Sequence, residues 1–221
     1  MITKTTLQFL KQLEKNNNKP WFDEHRKEYE SAKKDFLQLT EKILIELSDI
    51  DAEVAHLAPK DCVFRINRDV RFSKNKSPYK TNMGMSIAKG GKKGIFAGYY
   101  FHLEPGKSFV GGGLYMPMAN EINKVRQEID YCSDEWTGIL KNKNFKRIYG
   151  DLERSSDISL SRPPKGYDAS HNCINDLKLK SWIATKEIKD ELLTTPQLSK
   201  TIIESFEALQ PLLQFINRSI E

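Results

Sequence analysis

The 221-residue chain carries 35 basic and 30 acidic residues, a net charge of +5, with 38% hydrophobic and 29% charged residues. A chain of this length buries roughly 70% of the surface that its unfolded form exposes, so it can form a core without disulfides or metals. No apolar run approaches the roughly 18 residues of a membrane span. The amino terminus shows no secretory signal pattern. These features argue against disorder and membrane insertion, and we expect a cytoplasmic protein.

The cysteines and histidines carry no metal-binding pattern. Cys62, Cys132 and Cys173 lie far apart without C-x-x-C spacing, and the four histidines lack the spacing of zinc ligands. Free cysteines usually behave as small buried apolar groups. We therefore expect reduced, structural cysteines and predict neither a metal nor a cofactor.

The first 50 residues predict two helices. Leu7, Leu10 and Leu13 recur at helical spacing until "NNNKPW" interrupts the pattern. A second helix is expected to begin near Pro20, with Asn18 as a possible cap. Its apolar stripe, which should face the core, is Tyr29, Phe36, Leu39, Ile43 and Leu47.

The next section predicts an antiparallel meander. Residues 62–72 alternate in an extended pattern that would place Phe64, Ile66, Val70 and Phe72 on one face, with a bulge or turn near residue 68. Further strands are expected in 81–88, 95–103 and 108–116. Three consecutive glycines in 111–113 would either make room for aromatic side chains across the sheet or let a ligand approach the backbone.

Helices return after Met118, and no linker or repeat divides the chain. The pattern predicts helices in 118–130, 133–149 and 199–221, the last kinked or restarted at Pro211, with a proline-rich loop in 160–171. Strands flanked by helices indicate the α+β class. We predict a single domain over residues 1–221, an antiparallel meander flanked by N-terminal and C-terminal helices.

The net positive charge is concentrated in one segment. Residues 60–80 contain seven bases and two acids, so this window alone carries a charge of +5. Extending it to Lys93 adds three lysines and no acid. An anionic partner would therefore bind at one patch of the surface.

The basic segment has residue types suited to anions. Arginine presents a planar fork of donors that fits phosphate and carboxylate groups. Asp69 lies beside Arg68 and Arg71, so we expect a lowered pKa for this carboxyl group and a role in orienting the arginines. The candidate ligand-binding residues of this segment are Arg65, Arg68, Asp69, Arg71, Lys76, Tyr79 and Lys80.

The pattern R-x-x-R-D-x-R-F followed by N-K-x-x-Y, residues 65–79, resembles the signature of domain-of-unknown-function family 2461. The stretches "FLKQLEKNNNKPWFDEHRKEY", "GYYFHLEPG", "GGGLYMP" and "RPPKGYDASH" extend this resemblance over nearly the whole chain. Asn172 stands where we expect proline in relatives. The resemblance implies the size, the single-domain organisation and the motif, and it supplies no reaction.

The proline-rich loop is a second candidate. It contains Arg162, Lys165, Tyr167, Asp168 and His171 within ten residues, and loops often hold binding residues. Contact between this loop and the basic segment would support a shared role.

Three functions remain open at this stage. The first is binding of a phosphate-bearing or other anionic ligand, such as a nucleotide or nucleic acid. The second is an enzyme acting on a phosphorylated or carboxylated small molecule, in which arginines stabilise negative charge near Tyr79, Tyr167 or His171. The third is a protein-interaction domain in which the Arg and Asp residues are only architectural. Oligomeric state is open as well.

Overall fold

The computed structural model describes residues 1–221. Its centre is one antiparallel sheet in the order β1-β2-β3-β4. The strands are β1 Met83–Ala88, β2 Gly98–Leu103, β3 Phe109–Leu114 and β4 Trp182–Glu187. The predicted α+β class and the meander of β1, β2 and β3 are confirmed. Strand β4, which follows several helices and completes the sheet, was not predicted.

The N-terminal helices are α1 Lys4–Lys15, α2 Lys19–Glu24, α3 Arg26–Ser48 and α4 Pro59–Cys62. Asn18 caps α2 by accepting a hydrogen bond from the main-chain N–H of Trp21, as predicted. The predicted second helix is divided at His25 into α2 and α3. The core-facing stripe of α3 is confirmed from Phe36 onwards, whereas Tyr29 is only half-buried.

The C-terminal helices are α5 Ala119–Tyr131, α6 Ser133–Lys141, α7 Lys143–Tyr149, α8 Ile174–Leu177, α9 Asp190–Leu193 and α10 Gln197–Ile220. Helix α10 does not restart at Pro211. Pro211 is exposed, while Leu209, Leu212 and Leu213 are buried. Their burial holds the helix together although proline removes one main-chain donor.

One face of the sheet packs against the helices. Alternate residues of β2, namely Tyr99, Phe101 and Leu103, are buried. The ring of Phe101 lies 6.2 Å from Phe36 on α3, and the ring of Tyr99 lies 4.9 Å from Phe206 on α10. A core of 47 buried residues extends along the chain from Ile2 to Ile220. The opposite face of β2 carries Tyr100 and His102.

Residues 62–72 do not form the predicted strand. Only two isolated bridges occur there, Val63 with Met85 and Asn67 with Tyr79. The predicted apolar face fails because Phe72 is 95% exposed. Residues 66–80 instead pair with each other: the N–H of Arg68 donates to Pro78 O at 2.9 Å, and that of Lys80 to Ile66 O at 2.8 Å. We call residues 66–80 the basic hairpin.

The glycines of β3 are required by the neighbouring main chain. A Cβ atom at Gly112 would lie 2.4 Å from Gly98 O, and one at Gly113 would lie 2.0 Å from Trp182 O. Gly113 also has a φ of 125°, which favours glycine. The space is therefore taken by the backbones of β2 and β4, and the explanation from aromatic side chains is wrong.

Candidate functional site

A groove of about 600 Å³ opens between α3, α4 and the edge of β1, and we call it the basic groove. Its floor is apolar, formed by Tyr29, Phe36, Leu37, Val63, Phe64, Ile66 and Met83. The turn at Gly91–Lys93 packs against α4 and closes one side. The groove therefore combines residues from four separate segments of the chain.

The rim of the basic groove is cationic. Lys33, Lys60, Arg65, Lys92 and Lys93 line it, and no carboxylate does. Lys92 Nζ donates to Lys60 O, and Lys33 Nζ lies 3.8 Å from Glu30 Oε2. The side chains of Lys60, Arg65 and Lys93 make no hydrogen bond or ion pair within the chain. The positive charge of this rim is thus left largely uncompensated.

Lys80 adds a further cation close to the groove. Its Nζ lies 5.2 Å from the ring centroid of Phe64, a cation–π arrangement with a residue of the floor. Burial, and then the charge of Arg65, lower the pKa of Lys80. The positive charges of Lys80 and Arg65 are therefore close enough to repel each other.

The three arginines predicted as one cluster have three different environments. Arg65 lines the groove. Arg68 donates to Ser77 O at 3.1 Å and to Ser73 Oγ at 3.3 Å, which holds the basic hairpin together. Arg71 is exposed and pairs with Asp69. The structure does not bring the three guanidinium groups into one cavity.

Asp69 orients Arg71 alone. Its two oxygens accept from Arg71 Nε at 3.0 Å and from Arg71 Nη2 at 2.6 Å. These side-chain bonds, and then the main-chain N–H of Arg71, lower the pKa of Asp69 as expected. Asp69 makes no contact of this kind with Arg68, so the predicted orienting role extends to only one of the two arginines.

Tyr79 and Lys76 stabilise the basic hairpin. The buried ring of Tyr79 stacks on Phe22 at 3.9 Å. Asn17 clamps the main chain of Tyr79, accepting from its N–H at 3.0 Å and donating to its carbonyl at 2.9 Å. Lys76 Nζ donates to Val70 O at 3.0 Å. Tyr79 is therefore a packing anchor and does not offer a free stacking surface.

The proline-rich loop lies away from the basic hairpin. His171 Nε2 donates to Asp130 Oδ1 at 3.1 Å, and His171 Nδ1 accepts from the N–H of Cys173 at 3.0 Å. Burial, and then Asp130, raise the pKa of Tyr167. Arg162 and Lys165 are exposed and make no hydrogen bond or ion pair. No hydrogen bond or ion pair joins this loop to the hairpin.

The two predicted clusters belong to opposite edges of the sheet. The basic groove and hairpin adjoin β1, the first strand of the order, through the bridge of Val63 with Met85. On the other side, Glu153 N donates to Ile183 O in β4 at 2.8 Å, and the bridge of Ser159 with Leu179 precedes the proline-rich loop. Tyr167 and His171 therefore make no hydrogen bond or ion pair with Arg65, Arg68 or Arg71, whereas Tyr79 lies in the basic hairpin with Arg68 and Arg71.

Sequence reasoning missed the charged network beside β4. Buried Arg126 donates to Leu177 O at 2.7 Å and to Leu179 O at 3.1 Å. Arg154 pairs with Asp176 at 2.7 Å and with Asp151 at 3.3 Å. Asp176 also accepts from Trp136 Nε1 at 2.9 Å. A cavity of about 520 Å³ beside this network is lined by charges of both signs.

A hydrogen-bonded row on the outer face of β2 was also missed. His102 Nε2 donates to Glu104 Oε2 at 3.1 Å, which leaves His102 Nδ1 to accept from the hydroxyl of Tyr100 at 3.2 Å. The alternation of these residues within a predicted strand was the available signal, because alternate residues share a face. A histidine held between two such groups can transfer protons. None of the three lines the basic groove.

Other classes of site find no support in the side-chain arrangement. No group of three or more His, Cys, Asp and Glu side chains is placed to hold a metal ion. The three cysteines are free, and burial raises the pKa of Cys62 to about 11, far from a reactive thiolate. No helix has both the length and the apolar character needed to cross a membrane.

Fold and site together define an α+β protein with a four-stranded antiparallel meander and a cation-rimmed groove at its first strand. The family model described as conserved hypothetical protein (DUF2461) matches residues 5–215. The chain belongs to this family, which confirms the resemblance seen in the sequence. No curated protein and no solved structure matches the chain.

Proposed function

We propose that the protein binds a phosphate-bearing ligand in the basic groove. The observation that carries this proposal is the lining of the groove, which has five cations and no carboxylate. Three of these cations lack any partner within the chain. Hydrogen bonds to charged groups contribute about 1.5 to 3 kcal/mol each, so a phosphate held by two or three of them would be retained.

The apolar floor indicates that the ligand has more than an anionic group. Binding sites for small molecules typically enclose about 300 to 1,000 Å³ and are mostly apolar with a few polar groups. The basic groove, at about 600 Å³, has this size and this composition. Nucleotides combine a flat, weakly polar base with phosphate, and they are the chemical class that we assign to the groove.

The residues of the groove have distinct roles in this proposal. Arg65 offers a planar fork for two phosphate oxygens, while Lys60 and Lys93 act as point charges. Lys80 supplies positive potential next to Phe64. Arg71 and Lys76 lie farther along the basic hairpin and extend the positive surface beyond the groove.

The unpaired charges also separate this proposal from a purely architectural role. If the cations served only the fold, their donors would be taken up by the protein, as those of Arg68 are. Lys60, Arg65 and Lys93 have no such partner, which leaves their donors free for an anion. Other exposed bases such as Lys143 are also unpaired, so the proposal depends on the grouping of these three around one groove.

Isothermal titration calorimetry with inorganic pyrophosphate and with adenosine triphosphate tests the proposal. Replacing Lys60→Ala together with Arg65→Ala should weaken binding by about 100-fold or more, since each substitution removes a charged hydrogen bond. The matched control is Lys143→Ala with Arg147→Ala, two exposed and unpaired bases of α7. Equal losses in both double variants, or no heat of binding in the wild type, would contradict a specific site.

A further inference from the structure

The tip of the basic hairpin displays one aromatic ring to solvent. Phe72 is 95% exposed, more than any other large apolar side chain in the molecule. It lies among Arg71, Lys74 and Lys76, and Arg71 Cζ is 5.9 Å from its ring centroid. The hairpin is held beneath it by Arg68 and by Tyr79 stacked on Phe22. The chain thus anchors this loop while leaving its aromatic residue free.

A second aromatic residue with a cation stands at the base of the hairpin. Phe64 is 36% exposed and lines the basic groove, and Lys80 Nζ is 5.2 Å from its ring centroid. The same pairing of ring and cation therefore occurs at the tip and at the base. The unpaired cations Lys60, Arg65 and Lys93 line the same groove as the ring of Phe64.

We propose that the basic groove and the basic hairpin together bind single-stranded nucleic acid, an inference that rests on the proposed function. Unpaired bases would stack on Phe64 and Phe72, and the phosphates between them would contact the cations of the groove rim. Aromatic platforms set along a positive surface are how proteins bind single strands without reading their sequence. In a duplex the base faces are already stacked, so these rings would find no partner.

The surroundings of Phe72 fit a nucleic acid strand better than a membrane surface. Phe72 is the only large apolar side chain exposed among residues 66–80. Helices that lie on a bilayer bury a broad apolar face in it, and one ring beside a basic patch offers much less apolar area. The other aromatic ring lines a recessed groove, which a single strand can enter and a flat bilayer cannot.

Fluorescence anisotropy with a labelled 15-nucleotide oligothymidylate tests the inference. The wild type should bind it, and log affinity should fall with log salt at a slope of about −0.7 per neutralised phosphate. Phe72→Ala should weaken binding about 5- to 150-fold, the loss of one stacked base. Phe72→Trp should retain it. Pyrophosphate binding should be the same in all of these variants.

The matched control is Tyr131→Ala, which removes an aromatic ring of α5 that is 73% exposed. It should leave oligonucleotide binding unchanged, and unchanged circular dichroism will show that each variant is folded. Equal affinity for a 15-base-pair duplex, or full affinity in Phe72→Ala, would overturn the inference. So would Phe72-dependent binding to phosphatidylserine vesicles without oligonucleotide binding.

The two proposals fail in different ways. If pyrophosphate binds and the oligonucleotide does not, the single-strand inference is wrong and the proposed function stands. If neither binds, both are wrong. If the oligonucleotide binds and the Lys60→Ala, Arg65→Ala double variant also loses it, both are supported.

Discussion

The charged network beside β4 and the basic groove beside β1 both contain arginine, and they differ in whether the chain pairs its cations. Beside β4, Arg126 gives its donors to main-chain carbonyls and Arg154 pairs with the buried carboxylate of Asp176. Beside β1, Lys60, Arg65 and Lys93 have no partner within the chain. Charge density alone would not separate the two edges. What separates them is whether the protein itself satisfies the hydrogen-bonding groups.

Arg126→Met should have the largest effect on the free energy of unfolding. Burial lowers the pKa of Arg126, and its guanidinium group serves two main-chain carbonyls. Leaving those acceptors unsatisfied should lower the free energy of unfolding by about 3 kcal/mol. Arg65→Met is the matched change beside β1, and it should leave the free energy of unfolding unchanged within error. Chemical denaturation measures both, and similar losses would remove the distinction between the edges.

Glu104→Gln tests a carboxylate on the outer face of β2 and should have an intermediate effect. Burial by itself would raise the pKa of Glu104, but hydrogen bonds from His102 and Thr81 outweigh it and leave the pKa below its ordinary value of 4.5. A carboxyl group with a lowered pKa stabilises the fold above 4.5, and this contribution is lost as pH falls below that value.

The variant should therefore be less stable than the wild type by about 1 kcal/mol at pH 7. The difference should shrink as the pH falls below 4.5, because the carboxyl group of the unfolded chain then takes up a proton more readily than that of the folded protein, whose pKa is lower. Urea denaturation at pH 7, 5 and 3.5 measures it. A difference that stays constant over this range would show that the ionised carboxylate is not what stabilises the row.

Asp69→Asn should have the smallest effect on stability. The Asp69–Arg71 pair is exposed, with side-chain accessibilities of 47% and 77%, and exposed pairs contribute little. We expect no measurable shift of the thermal midpoint and slightly tighter binding of pyrophosphate, because a negative charge beside the hairpin is removed. A clear loss of anion binding would show instead that Asp69 positions Arg71 for the ligand.

The sequence predicted the local features well. The strands β1, β2 and β3 and the cap at Asn18 depend on neighbouring residues, and both are confirmed. The segment 62–72 alternates in an extended pattern and forms no strand. A period of two shows that a chain could be extended, but it does not show which partner supplies the hydrogen bonds. Here the partner is the other arm of the hairpin.

The candidate site was predictable only in part. Arg65 and Lys60 lie in the basic window of the sequence, but the apolar floor comes largely from α3, and Lys92 and Lys93 come from a turn beyond β1. Arg68 and Arg71 are as basic in sequence as Arg65, yet they contact Ser77 and Asp69 instead of the groove. Because alternate residues of a strand share a face, the sequence could have placed Tyr100, His102 and Glu104 side by side, but this row was not predicted.

The sequence by itself determined the α+β class, the meander of the first three strands and the segment that carries the positive charge, because these depend on composition and short-range periodicity. Only the tertiary structure decided which charges are free. A donor becomes available to a ligand when no acceptor of the chain lies within hydrogen-bonding distance, and those distances are set by long-range packing. Such packing joins Arg126 to Leu177 and leaves Arg65 at the edge of a groove.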